Sequence, residues 1–368
     1  MKPDCIVVGA GIVGAACAEA LSSAGSRVLV LEARSAAGAA TAAGMGHLVV
    51  MDDSPAQLAL TSHGVALWRA LLPELPPAVE HQPCGTLWLA ADDEELAHCR
   101  AKLALYRSHG LAAELLDARS LAETEPQLRP GLAGALLVPG DGVLYPPAAA
   151  RFLLERARAR GAELREGCPV LELRPGGART GAGWIEGGLV VNAAGAEAPR
   201  LTPGLPIEPR KGHLVVTERL PGFVRHQLVE LGYLRSAHVL SAPSSVAFNV
   251  QPRATGQVLV GSSRELVGWD RSLNRRLLDR MLRRACSYLP GLSAATTLRA
   301  WTGFRPATPD KLPLIGALEP GLWLAAGHEG LGITTALATG RLLAELVTAR
   351  PPSLDPAPFT PARALAAA

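Results

Sequence analysis

Residues 4–14 read Asp4-Cys-Ile-Val-Val-Gly-Ala-Gly-Ile-Val-Gly14. A short β-branched run leads straight into Gly9, Gly11 and Gly14, the G-x-G-x-x-G spacing. The pattern predicts a strand, a helix from Ile12 to Gly25, and a second apolar strand from Arg27 to Leu31 that ends at Glu32. Each part suits a dinucleotide. Gly9 permits the tight turn, Gly11 lets backbone approach a pyrophosphate, and Gly14 lets helix and strand pack closely. The helix start, at Ile12 and Val13, offers free N–H groups and a positive dipole end to the phosphates. Glu32, followed by Ala33 and Arg34, is placed to accept hydrogen bonds from ribose hydroxyls. A plain βαβ turn without a ligand has no need of that acid.

Composition narrows the class. With 368 residues the chain is long for one core, so one large or two interleaved domains are expected. A hydrophobic share of 48% against 19% charged residues fits a well-buried globular protein. The net charge of +3, without a basic cluster interleaved with aromatics, gives no support to nucleic-acid binding. Cys5, Cys17, Cys84, Cys99, Cys168 and Cys286 are scattered without a C-x-x-C. No metal site or disulfide framework is expected, and reduced cysteines point to a cytoplasmic protein. The apolar run at 5–21 resembles a signal or membrane segment, but Glu19 and the three glycines divide it. The chain is therefore expected not to span a membrane.

Along the chain, residues 35–46 read as a loop of small residues and 57–72 as a helix. A strand (81–90), helices at 92–109 and 117–125, a turn at 141–147 and a helix at 148–160 follow. Residues 163–173 and 188–192 read as strands. The middle section changes character: 208–217, 245–251 and 257–261 read as antiparallel strands, with a hairpin loop at 252–256. A helix at 274–288, a strand at 321–325 and a long helix to 347 complete the pattern, with an irregular Pro/Ala-rich tail beyond. The expected fold is α/β (α+β two-domain), with a Rossmann-like dinucleotide domain interrupted twice by an antiparallel-sheet domain. Residues 1–80, 142–208 and 300–350 are assigned to the first, 81–141 and 209–299 to the second, and 351–368 to a tail.

Two further motifs carry chemistry. Ala193, Ala194 and Gly195 end an apolar strand in a turn small enough for close passage of a cofactor. Gly327-His-Glu-Gly-Leu-Gly332 opens the last long helix, with Ile333, Thr334 and Thr335 in its first turn. A second helix start behind glycines is a second site for negative charge. FAD fits both, its pyrophosphate on the first helix and the pyrimidine edge of the flavin on the second. A nicotinamide dinucleotide has no need of the second. Arg305 sits among apolar and proline residues in Trp301-Thr-Gly-Phe-Arg-Pro306. Such an arginine seeks a planar anion, either a structural carboxylate or a substrate's.

Together these motifs resemble the D-amino-acid-oxidase-like flavoenzymes, the group with glycine oxidase, monomeric sarcosine oxidase and D-hydroxyproline dehydrogenase. The resemblance spans nearly the whole chain and rests on 7–14, Ala42-Ala-Gly-Met45, 191–195, Gly303-Phe-Arg-Pro306, 314–316 and 327–332. The forms Gly44-Met-Gly-His-Leu-Val-Val-Met51 and Gly327-His-Glu-Gly-Leu-Gly-Ile-Thr-Thr335 are most similar to bacterial D-hydroxyproline dehydrogenases. The resemblance implies FAD, covered by Thr41, Ala42, Ala43, Gly44, Met45 and Gly46 and meeting Val170 at its adenine. At the flavin end it implies Gly303, His328, Glu329, Gly330, Leu331, Gly332, Ile333 and Thr334. Arg305 matches the family position that holds the substrate carboxylate, and Asn249 and Arg264 match strand positions that line the substrate. His47 and His328 lie near the implied site, where a hydrogen-bonded structural histidine is the plainer role. Sarcosine oxidases attach flavin through a cysteine after the Arg-Pro pair. Residues 305–316 hold none, so non-covalent FAD is expected.

The implied reaction is oxidation of the Cα–N bond of a small amino acid or cyclic secondary amine, by hydride transfer to flavin N5, giving an imine. The electrons go to oxygen, a quinone, another acceptor or a partner subunit. A glycine- or sarcosine-type oxidase and a non-catalytic flavin-binding subunit are the alternatives.

Overall fold

The structure, a computed structural model, describes residues 2–232 and 244–365. The chain forms two compact units. One comprises Met1–Val79, Tyr145–Arg210 and Phe304–Ala368, and the other Glu80–Leu144 and Lys211–Gly303.

The first unit opens with β1 (Cys5–Val8), α1 (Ile12–Ser23), β2 (Val28–Leu31), α2 (Ala39–Ala43), β3 (His47–Leu48) and α3 (Pro55–Leu71). The second then takes β4 (Thr86–Ala90), α4 (Asp93–Ser108), β5 (Glu114–Asp117), α5 (Ala118–Thr124), β6 (Gly134–Val138) and β7 (Gly142–Val143). The chain returns for α6 (Pro146–Ala159), β8 (Glu163–Arg165), β9 (Val170–Arg174), β10 (Gly177–Thr180), β11 (Gly183–Glu186), β12 (Leu189–Asn192) and α7 (Ala198–Leu201). β13 (Glu208–Arg219) leads to β14 (Gln227–Glu230), β15 (Ser244–Pro252), β16 (Gln257–Glu265) and α8 (Arg275–Tyr288). β17 (Thr297–Ala307) leads back to β18 (Leu314–Glu319), β19 (Leu322–Ala326), α9 (Gly332–Val347) and α10 (Ala362–Leu365).

In the first unit, β18-β19-β12-β1-β2-β8 form one sheet. Its strands run parallel except β18, which pairs antiparallel with β19. β1 is central and fully buried, so it reads as an unbroken apolar run rather than an alternating one. Ile6, Val8, Leu29, Leu31, Val190 and Leu322 share a core with Val170 and Ala178 of a separate ribbon, β9-β10-β11. The second unit is built on an eight-stranded sheet, β17-β13-β16-β15-β14-β4-β6-β5, antiparallel in most of its pairings and parallel between β14 and β4. Its core packs Leu87, Phe248, Val250 and Val260 against Met281 and Tyr288 of α8. The Phe248 and Tyr288 rings stack with centroids 4.4 Å apart.

Local chemistry sets several boundaries. Ser54 caps α3 by accepting the Gln57 N–H, with Pro55 at the first helical position. Asp92 caps α4 by accepting from Glu95 N–H, and Glu95 reaches back to Ala91 N–H, a reciprocal cap.

Some sequence expectations need correction. The small-residue loop at 35–46 contains α2. The strand expected at 163–173 is two strands in different sheets, because Cys168 and Gly167 turn back to hydrogen-bond Glu32 and Arg34 carbonyls. The strand expected at 81–90 begins only at Thr86. The tail is not irregular throughout: Phe359 is buried at 1% exposure, and α10 follows it within the first unit.

Candidate functional site

The first helix start has the geometry its glycines suggest. Gly9 has φ +106°, and a Cβ there would stand 2.6 Å from the Ala193 carbonyl oxygen. A Cβ at Gly14 would stand 1.9 Å from the Gly9 carbonyl oxygen, so these two glycines are needed for packing. Gly11 differs. It is extended (φ −70°, ψ 179°), and a Cβ there would meet only the Thr41 hydroxyl, at 3.2 Å. The space beside Gly11 is a cradle that a side chain would fill. Thr41 Oγ1 also accepts the Ile12 N–H at 2.9 Å, which ties residue 41 to the start of α1.

Glu32 sits at the end of β2 and accepts from Ala10 N–H at 2.8 Å and Arg34 N–H at 2.9 Å. Each carboxylate oxygen keeps acceptor capacity for a further donor. Val170 begins β9, opposite Thr180, with its side chain in the core beside Leu29 and Leu31. Ala193 donates to the Val8 carbonyl, Ala194 N–H donates to Asn192 Oδ1, and Gly195 (φ +58°) has open space where a Cβ would stand.

The second helix start lies against the first. A Cβ on Gly332 would stand 3.7 Å from Val13 Cγ2, and one on Gly340 would stand 2.4 Å from the Ala16 carbonyl oxygen. Backbone contact between α1 and α9 therefore places both N-termini at one end of the pair. Gly44 faces Ile333 Cδ1 at 3.2 Å from its built Cβ, and Gly64 of α3 lies against the Thr334 carbonyl. Thr334 donates its hydroxyl to the His47 carbonyl and accepts the Val49 N–H. That hydroxyl is a staple between α9 and β3, which leaves backbone as its means of meeting a ligand. Met45 is buried and Gly46 has φ +102°.

His328 is buried, its Nε2 hydrogen-bonded to Thr339 Oγ1 at 2.9 Å, and burial pushes its pKa down to about 3. Its ring is a neutral packing group at physiological pH. Glu329 pairs with Arg210 at 2.6 Å. Arg305 lies beside Gly330, whose built Cβ would be 3.7 Å from its Cδ and Nε. Burial draws the Arg305 pKa below the usual range, Glu329 opposes this and Arg210 reinforces it. A guanidinium stays charged through such a shift. Asn249 on β15 and Arg264 on β16 belong to the second unit, as does Gly303, its last residue.

Two functional-looking groups escaped the sequence reading. Arg210 is one. The other is a buried network in the second unit: Lys211 Nζ donates to Asp270 at 2.9 Å, and His213 bridges Ser263 Oγ and the Asn274 N–H. The only signal was a pair of cations at 210–211 entering an apolar strand. Burial raises the thiol pKa to about 11 at Cys5, Cys84 and Cys99 and about 12 at Cys17, so no reactive thiolate arises there. Among the described residues there is no cluster of metal-ligating side chains and no helix long and apolar enough to cross a membrane.

The model of the FAD dependent oxidoreductase family matches residues 4–346. The chain belongs to this flavoenzyme family. Its FAD fits the residues present: an open cradle at Gly11, an acid with spare acceptor capacity at Glu32, and two adjoining helix N-termini. This family member is 30% identical to glycine oxidase of Pseudomonas aeruginosa over 387 residues, 98% of this chain and 99% of that protein. It is also 30% identical to hydrogen cyanide synthase subunit HcnC of that organism over 414 residues, 98% and 96% of the two chains. Among solved structures it resembles L-proline dehydrogenase from P. horikoshii, with a TM-score of 0.89, 26% identity and coverage of 98% and 97%.

Proposed function

We propose that this flavoenzyme oxidises the Cα–N bond of a small amino acid or cyclic secondary amine, of the D-proline or D-hydroxyproline type, to an imine. The observation that carries the reading is Arg305 standing beside Gly330 at the start of α9, in the unit where α9 packs on α1. When bound, FAD supplies the two-electron acceptor that protein side chains lack. Arg305 presents a planar fork that grips a carboxylate in two places and so fixes the direction of the neighbouring Cα. Holding that geometry supplies much of the rate advantage. The N–H groups at the starts of α1 and α9 hold negative charge at two points along the cofactor. His328 has no proton to give at neutral pH, because burial keeps it neutral. The amine therefore binds deprotonated, and no general base is required of the protein. Asn249 and Arg264 are assigned to the substrate lining, and the flavin is held without a covalent bond.

The likeness to L-proline dehydrogenase supports a cyclic secondary amine, and that to a cyanide synthase subunit supports delivery of electrons to a partner subunit or quinone. A second reading, a glycine- or sarcosine-type oxidase releasing peroxide, is favoured by the likeness to glycine oxidase along the whole chain. Purified holoprotein mixed with D-proline, cis-4-hydroxy-D-proline, sarcosine and glycine and an artificial electron acceptor tests both. Turnover of the prolines is expected. Peroxide formed under air from glycine or sarcosine alone would favour the second reading, and turnover of none of the four would overturn both.

A further inference from the structure

Glu329 occupies an unfavourable position for its residue type. Its φ is +47°, in the left-handed region where a Cβ crowds the backbone and glycine is the usual occupant. Its neighbours in the turn include Gly327, Gly330 and Gly332, yet position 329 carries a carboxylate. That carboxylate is nearly buried, with 8% of its side chain exposed, and it pairs with Arg210 Nη1 at 2.6 Å, where Arg210 is 14% exposed. The Glu329 N–H donates to the carbonyl of Pro306, the residue after Arg305, at 2.9 Å. On its other side Gly330 lies against the Arg305 side chain. The turn is thus fastened to the strand that carries Arg305, and three charges share one confined place: two guanidiniums and one carboxylate, a sum of +1. Charges removed from water need near-complete compensation. One further negative charge completes this set, and a second would exceed it.

We propose that Glu329, clamped by Arg210, is a positioning residue for Arg305 that holds the local charge at +1 and restricts the enzyme to amines bearing a single carboxylate. The proposal rests on Arg305 as the carboxylate clamp. It gives a backbone-strained residue a reason to be acidic. It also makes Arg210 a specificity determinant that acts through Glu329 and never needs to touch substrate.

Opposite substitutions have opposite effects, which a purely structural role does not produce. Glu329→Gln keeps the shape and an oxygen acceptor for Arg210, but leaves the place at +2. The ratio of KM for D-aspartate to KM for D-proline should then fall by about tenfold or more, with the D-proline kcat within about threefold of wild type. Arg210→Met leaves the place neutral, so the D-proline KM should rise about tenfold, and Arg210→Lys should restore it. Glu329→Gly suits the positive φ and removes the carboxylate without backbone strain, so it serves where the glutamine variant fails to fold. Flavin content is measured for each variant. Equal losses of kcat for both substrates, with no charge-dependent split in KM, overturn the proposal while leaving the Arg305 reading intact. Wild-type holoenzyme that turns over no monocarboxylic amine overturns both.

Discussion

Gly340→Ala tests whether close packing of α1 on α9 is what brings the two helix starts together. A Cβ at position 340 would stand 2.4 Å from the Ala16 carbonyl oxygen, 2.7 Å from its carbon and 3.1 Å from Cys17 N. All three are backbone atoms, so no side chain can swing aside. Restoring an ordinary separation of about 3.5 Å requires the helices to part by roughly 1 Å. Forcing an extra methyl into a packed core costs about 1–3 kcal/mol, and rigid backbone puts this case at the upper end. Alanine's better helix propensity returns about 1 kcal/mol. The net loss is therefore about 2 kcal/mol, or a Tm lower by about 4–8 °C for a unit of this size. FAD affinity should fall with it, because the displacement acts on the helix ends that hold the cofactor. Thermal melting followed by flavin fluorescence and far-ultraviolet circular dichroism reads both effects. Gly181→Ala is the control, since a Cβ there meets nothing within 4 Å. A Gly340→Ala protein with full flavin and a Tm within about 1 °C of wild type would refute the packing argument.

Other expectations follow from single sites. Arg305→Ala should raise KM for the amino-acid substrate strongly, by the ~2–5 kcal/mol typical of a lost buried charge pair, without altering the bound-flavin spectrum; unchanged kinetics would remove Arg305 from the mechanism. Gly11→Val fills the cradle from an extended backbone that any residue adopts, so steady circular dichroism with colourless protein is expected, and yellow protein would count against the placement. His328 titrates near 3 in the folded protein against about 6.5 when unfolded, so the unfolded chain takes up the extra proton between those values. Stability should therefore fall as pH drops from about 6.5 towards 3, by at most ~1.4 kcal/mol per pH unit for this group. Urea titrations at several pH values should show a shallower dependence in His328→Gln, and equal slopes would contradict the assignment. Acid precipitation should release the flavin to the supernatant, since residues 305–316 contain no cysteine, and flavin retained in the pellet would show a covalent link.

The parallel half of the fold was legible because its signals are local. β1, α1 and β2 follow one another within 31 residues, and three glycines mark positions where a Cβ would collide or fill a cradle. The start of α9 was legible for the same reason. What was hidden depends on partners distant in sequence. β14 is four residues long and wholly buried, so it shows no alternation. β18 begins just after Pro313 in a stretch that reads as turn, and it exists because β19 offers an edge to pair with. α2 is five small residues between glycines, without amphipathic character. The Arg210–Glu329 pair joins residues 119 apart, and nothing near position 210 names its partner. The Thr334 hydroxyl was expected at the cofactor and is instead spent on β3, a competition visible only once both elements are placed.

The most direct test is electron density for FAD in crystals of the holoprotein. The account requires one cofactor whose pyrophosphate lies against the backbone at Gly11–Val13, whose ribose reaches Glu32, and whose pyrimidine edge meets the backbone at Gly332–Thr334. Density showing FAD bound elsewhere, or touching α1 with its flavin turned away from α9, would contradict it.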